Sequence, residues 1–186
     1  MKRLTLIIIG VLLCTPLYSD MNPYIAGVPV SGGEGCLTDS VDQEQADTSY
    51  RTGMYTTARG QSFVVSKAGK ISAIEISFNR NASDGDIEVR WGTSANLSTY
   101  IASATGTVTA DGWLKFTFET KGDVSTGTTY YFAAMNAGGN DIEVHSDNTD
   151  PEYTSGQYYY GLLAESWDMT RTASARDLAF RVYLCD

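Results

Sequence analysis

The chain has 186 residues, with 13 Lys+Arg against 22 Asp+Glu, a single His and three Cys, the length of one ordinary domain. A formal charge of −9 excludes a binder held by the phosphate backbone of nucleic acid, which needs clustered Lys and Arg. One His excludes a His-rich metal site and leaves few acid–base relays.

The chain opens with Met1-Lys2-Arg3, followed by an apolar run from Leu4 to Leu13. Two positive charges ahead of an apolar stretch too short to span a bilayer make a secretory signal. Cleavage after Ser19 assigns residues 1–19 to this signal, and the loss of Lys2 and Arg3 leaves the exported chain still more acidic. Cys14 is discarded with it; Leu13 stands where a lipid-attachment cysteine would follow a small residue. Cys36 and Cys185 remain, an even pair in an oxidising compartment, and are expected to form a disulfide near the two ends of the mature chain.

Residues 20–49 are rich in Gly, Pro, Asp, Glu and Ser and carry no hydrophobic period. They read as an extended leader lying on the domain or reaching out to another copy. From residue 50 to 186 the pattern is that of a β-sandwich. Strands are expected at 61–66, 74–78, 86–91, 99–102, 105–109, 114–119, 128–134, 140–145, 157–163 and 178–184, where apolar and polar residues alternate between turn-forming clusters. Ile87, Val89 and Trp91 share one face, as do Leu114, Phe116 and Phe118. No helical stretch is available to cross over a parallel sheet, so the expected fold is all-β, an antiparallel two-sheet sandwich with jelly-roll connectivity.

Acidic and amide residues gather in the loops, among them Asp84, Asp86, Asp147 and Asp150. Such loops can supply oxygens to one structural Ca²⁺, and the same residues are what tight turns require. Aromatic residues crowd 153–167. Tyr153, Tyr158, Tyr160 and Trp167 are the candidate ligand platforms, because exposed rings stack on sugar faces or anchor a protein partner; the competing role is to cap the core. Alternation sends Tyr159 to the face opposite Tyr158 and Tyr160. Trp91 and Trp113 read as core, and His145 as a surface strand residue. There is no Gly-x-Ser-x-Gly elbow or Cys–His pair, and only strand alternation brings Glu75 and Glu88 together, so no catalytic residue is assigned.

Three stretches occur in an order that resembles one family: 60–65 leading into 71–74, then 128–134, then 177–183. Over roughly residues 50–184 they look like the bacterial secreted choice-of-anchor domains, which are similar to carbohydrate-binding jelly rolls. The resemblance implies a secreted, non-catalytic module for glycan or another extracellular surface polymer, and it adds Asp177, just before the last strand, to the cation candidates. Members of that family usually carry a C-terminal anchoring tail. Here the chain stops at Cys185-Asp186, which favours free secretion or assembly. The alternative function is a subunit of an extracellular fibre or other homo-oligomer, its leader donating a strand to a neighbour's sheet edge.

Overall fold

The computed structural model describes residues 38–54, 57–138, 141–148, 153–161, 166–169, 171–173 and 176–185. The signal segment, the leader before residue 38, Cys36 and Asp150 lie outside the described residues.

The described residues form thirteen strands and no helix. They are β1 (Asp39–Gln45), β2 (Tyr50–Gly53), β3 (Arg59–Val64), β4 (Gly69–Arg80), β5 (Gly85–Gly92), β6 (Ala102–Val108) and β7 (Gly112–Val124). There follow β8 (Thr129–Asn136), β9 (Ile142–Asp147), β10 (Tyr158–Tyr160), β11 (Arg171–Ala173), β12 (Asp177–Leu178) and β13 (Phe180–Cys185). One sheet runs β1-β13-β4-β9-β12, with β2 also on β9 and β7 also on β4; the other runs β11-β10-β3-β8-β5-β6. The strand pairings within both sheets are antiparallel, and the sheets form a β-sandwich.

Period-2 alternation decides which face of each strand is buried, and the register carries that choice across the sheet. Ile74 lies opposite Val182 and Phe116, and Ile76 opposite Phe180 and Leu114. The facing sheet contributes Phe63, Ile87, Val89, Trp91 and Phe132, each at most 1% exposed. Burial of one such side chain stabilises the fold by roughly 1.5–3 kcal/mol. Trp91 also meets Phe118 and Tyr130 edge-on at centroid distances of 6.3 and 6.1 Å. β4 is long because it serves β13 along its first half and β9 at its end, with β7 on the other side.

The structure departs from the sequence reading at several points. Residues 39–45, read as leader, are β1, and their pairing with β13 places them on their own domain. Their apolar content is low because β1 is a sheet edge and mostly exposed. The segments expected at 99–102 and 105–109 merge into β6, and residue 101 belongs to the bend before it, where Ile101 N–H donates to Trp91 O at 2.8 Å. Trp113 is half-buried on the outer face, beneath the Arg181 guanidinium at 4.1 Å. Its parity is opposite to the inward Leu114 and Phe116. His145 is 8% exposed because β2 flanks β9, and its Nδ1 lies 2.8 Å from Ser77 Oγ.

A second, smaller apolar cluster lies on the outer face of the six-stranded sheet. Leu97, Trp167 and Met169 cover Ala133 and Met135 there. Two peptide strips are joined by Leu97 N–H to Trp167 O at 3.0 Å and Met169 N–H to Ala95 O at 3.3 Å. Gly60 permits this close approach: a Cβ there would stand 2.3 Å from Phe132 O and 2.5 Å from Met169 Sδ.

Candidate functional site

Five of the residues singled out in the sequence converge where β10, β9 and β12 meet. Tyr158 lies opposite Gln61 of β3, and Tyr160 opposite Arg59, so these four side chains share the inward parity. Asp177 of β12 lies opposite Asp147 of β9, both 1% exposed. Tyr153 approaches from the preceding loop, its ring edge-on to Phe180 at 5.1 Å. Trp167 is placed elsewhere, over the outer face of the same sheet.

The rings are not open platforms. Tyr158 is 1% exposed, Trp167 5% and Tyr153 9%; only Tyr160 of the four is half-buried. Alternation correctly separates Tyr159 from its two neighbours, and the outward member is Tyr159, which meets Tyr131 edge-on at 5.5 Å. The physical reason is the register. Pairing Tyr158 with Gln61 commits the even-numbered tyrosines to the side of Phe63.

What the site offers instead is a polar cavity wall. A cavity of about 360 Å³ is lined by Tyr153, Gln157, Arg176 and Asp177, and one of about 260 Å³ by Arg59, Tyr158, Tyr160 and Arg176. Arg176 lines both. Its guanidinium stands 4.7 Å from the Tyr50 ring and 5.5 Å from the Tyr158 ring, and it donates to Thr52 Oγ1 at 3.2 Å. Arg59 faces Tyr160 at 5.9 Å and donates to Gly53 O at 2.9 Å.

Asp177 Oδ1 accepts from Gln61 Nε2 at 2.6 Å, and Gln61 Oε1 accepts the Leu178 N–H at 3.2 Å. Burial pushes the Asp177 carboxyl up; hydrogen bonding from the Gln61 side chain and from the Tyr153 backbone opposes the rise, and the neighbouring Asp147 adds to it. The Tyr153 hydroxyl donates to Gln43 Oε1 at 2.9 Å and accepts the Val64 N–H at 3.3 Å. Burial holds its pKa up at about 12, so it stays a neutral donor.

Buried polar atoms without partners are few in native proteins, and each calls for water, an ion or a ligand. Here they concentrate at this end. Arg59 Nε, Ser146 Oγ and Asp177 Oδ2 are buried without a hydrogen-bond partner, as are both amide atoms of Gln45, which pairs with Phe180. Trp91 Nε1 is the remaining atom of this kind among the described residues.

Of the other cation candidates, Asp84 is exposed and bound to Arg80 Nε at 2.6 Å, and Asp86 accepts from Thr107 Oγ1 at 2.7 Å. Neither joins Asp147 and Asp177. Among the described residues no group of three or more His, Cys, Asp or Glu side chains is placed to hold a metal. Cys185 is 3% exposed at the end of β13.

Sequence reasoning missed Arg59, Gln61 and Arg176. The available signal was parity, since Arg59 and Gln61 share the face of Phe63 and so put polar groups on a buried side. No family model matches the chain, and no curated protein matches it.

Proposed function

We propose that the chain is a secreted, non-catalytic β-sandwich module that binds glycan or another extracellular surface component at the Arg59–Arg176 cavities. The observation that carries this reading is the set of buried, partnerless polar atoms, Arg59 Nε and Asp177 Oδ2 foremost, beside two cavities walled by tyrosine. Two guanidiniums and one carboxyl suit a polyhydroxylated ligand, and the guanidiniums favour one bearing carboxylates. The resemblance to choice-of-anchor domains points the same way.

Titration with hexagalacturonate tests it. Arg176→Ala and Tyr160→Ala should each weaken binding at least tenfold with the fold intact, and unchanged affinity in both would sink the assignment.

Two further parts belong to this reading. A disulfide joins Cys36 to Cys185; the support is that Asp39, three residues after Cys36, already lies opposite Cys185 in the sheet. Intact-mass measurement after thiol alkylation without reductant should find neither thiol modified. One structural Ca²⁺ rests on Asp147 and Asp177; the support is Asp177 Oδ2, a buried oxygen that accepts no hydrogen bond and is ready to ligate. A melting temperature indifferent to calcium would remove it.

The fibre reading is favoured by one observation. β1 is an edge strand with Val41 45% exposed, a surface to which another strand can add. Protein that stays monomeric at high concentration would end that reading.

A further inference from the structure

At the opposite edge of the six-stranded sheet, β6 runs beside β7 of the other sheet and leaves a groove of about 470 Å³ between them. Its lining is rich in hydroxyls, from Ser103, Thr105, Thr117 and Thr120, with one carboxylate, Glu119, and one aromatic ring, Tyr100. Tyr100 is 43% exposed and the adjoining Ile101 38%. Among the described residues no cationic side chain lines the groove, in contrast to the Arg59–Arg176 cavities.

The ring of Tyr100 is held in place. Arg90 stacks between Tyr100 and Trp167, 4.6 and 4.1 Å from the two centroids. The guanidinium is fixed by Glu88 Oε1 at 2.7 Å and by Leu97 O at 3.4 Å. Trp167 is buried and pinned by the backbone bonds between the 95–97 and 167–169 strips. The backbone of the 100–101 segment approaches the sheet closely at Gly92, and the Ile101 side chain does so at Gly122. A Cβ at Gly122 would stand 2.4 Å from Ile101 Cγ2 and 2.6 Å from the Trp91 ring. An aromatic side chain whose orientation is set before binding loses little entropy when a ligand stacks on it.

We infer that this groove is a second carbohydrate site, one that takes the flat apolar face of a neutral, all-equatorial hexopyranose chain on Tyr100 while its hydroxyls bond the Ser, Thr and Glu119 groups. The inference rests on the reading of the chain as a glycan-binding module, and it makes that module bivalent, with differently charged sites at opposite sheet edges. Two sites on one rigid body cross-link chains and raise avidity on a polymer surface without new contacts.

Calorimetric titration of the full chain with cellohexaose tests the groove directly. Binding is expected to weaken at least tenfold in Tyr100→Ala, to survive in Tyr100→Phe, and to be unchanged in Arg176→Ala. Tyr100 is an exposed bend residue, so an unchanged thermal melt confirms that the variant is folded. Cellohexaose affinity equal in the parent and Tyr100→Ala, or no binding up to millimolar concentration, overturns the proposal. Cellohexaose bound through Tyr100 while hexagalacturonate is silent supports this site and sinks the Arg59–Arg176 assignment alone.

Discussion

The two edges of the six-stranded sheet solve opposite problems. At the β10–β11 edge the inward parity carries Arg59, Gln61 and tyrosines, and polar atoms are left buried without partners. At the β6 edge Arg90 has its carboxylate, its carbonyl and two rings, Trp91 Nε1 is the one buried polar atom left without a partner among the described residues there, and the aromatic surface is exposed. The first edge stores unmet hydrogen-bonding capacity, and the second presents a prearranged ring. A ligand gains at the first by completing bonds and at the second by finding nothing left to order.

Glycine substitutions should separate the edges most sharply. A Cβ at Gly156 would lie 1.9 Å from the Ser62 carbonyl oxygen, a backbone atom with no freedom to turn away. Gly156→Ala should therefore destabilise the protein by about 3 kcal/mol and detach β10 from β3, read by urea unfolding. Gly122→Ala meets only side-chain atoms, Ile101 and Trp91, so its loss should be nearer 1–2 kcal/mol and confined to the Tyr100 edge. Equal losses in the two would break the contrast.

Tyr153→Phe removes one hydroxyl from the polar edge, leaving Gln43 Oε1 and the Val64 N–H without it. A cost of about 1–2 kcal/mol is expected, visible as a lower urea midpoint.

Asp177 sharpens the comparison through pH. Its carboxyl holds a proton to higher pH in the fold than in the unfolded chain, whose reference is 3.8. Above that pH the folded state therefore holds more protons than the unfolded chain, and stability falls as pH rises until the raised folded pKa is passed. In metal-free buffer Asp177→Asn, which never ionises, should match the parent near pH 3 and exceed it at pH 7. A variant less stable at pH 7 only when calcium is present would assign the carboxyl to a cation.

The smallest effect belongs to Arg90→Lys. It keeps the charge but loses the planar stack between Tyr100 and Trp167, and it should cost about 0.5–1 kcal/mol with a few-fold loss of cellohexaose binding.

The sandwich itself was legible because alternation is a local signal. Runs such as Ile74 to Phe78 and Asp86 to Trp91 needed no partner to be recognised. β1 and β11 escaped notice because edge strands bury too little to force alternation. The site was half legible. The tyrosines and Asp177 stood out by type and position, but their burial depends on which residue of β3 faces which residue of β10, a register that local sequence does not contain. Arg176 reaches Tyr50 and Thr52 across more than 120 positions, and Arg90 reaches Trp167 across more than 70. Tyr100 carried no pattern at all, since its importance comes from what stands behind it.

Met169, 1% exposed, rests over Gly60 where even a methyl group would not fit. In an oxidising environment its thioether is a point of chemical vulnerability. A sulfoxide adds a polar oxygen to a space with no room for it. That lesion would lift the 167–169 strip and take Trp167 away from Arg90 while leaving the Trp91 core untouched. On the proposed reading of the Tyr100 groove, oxidation of Met169 would weaken carbohydrate binding there through the lost Trp167–Arg90 stack.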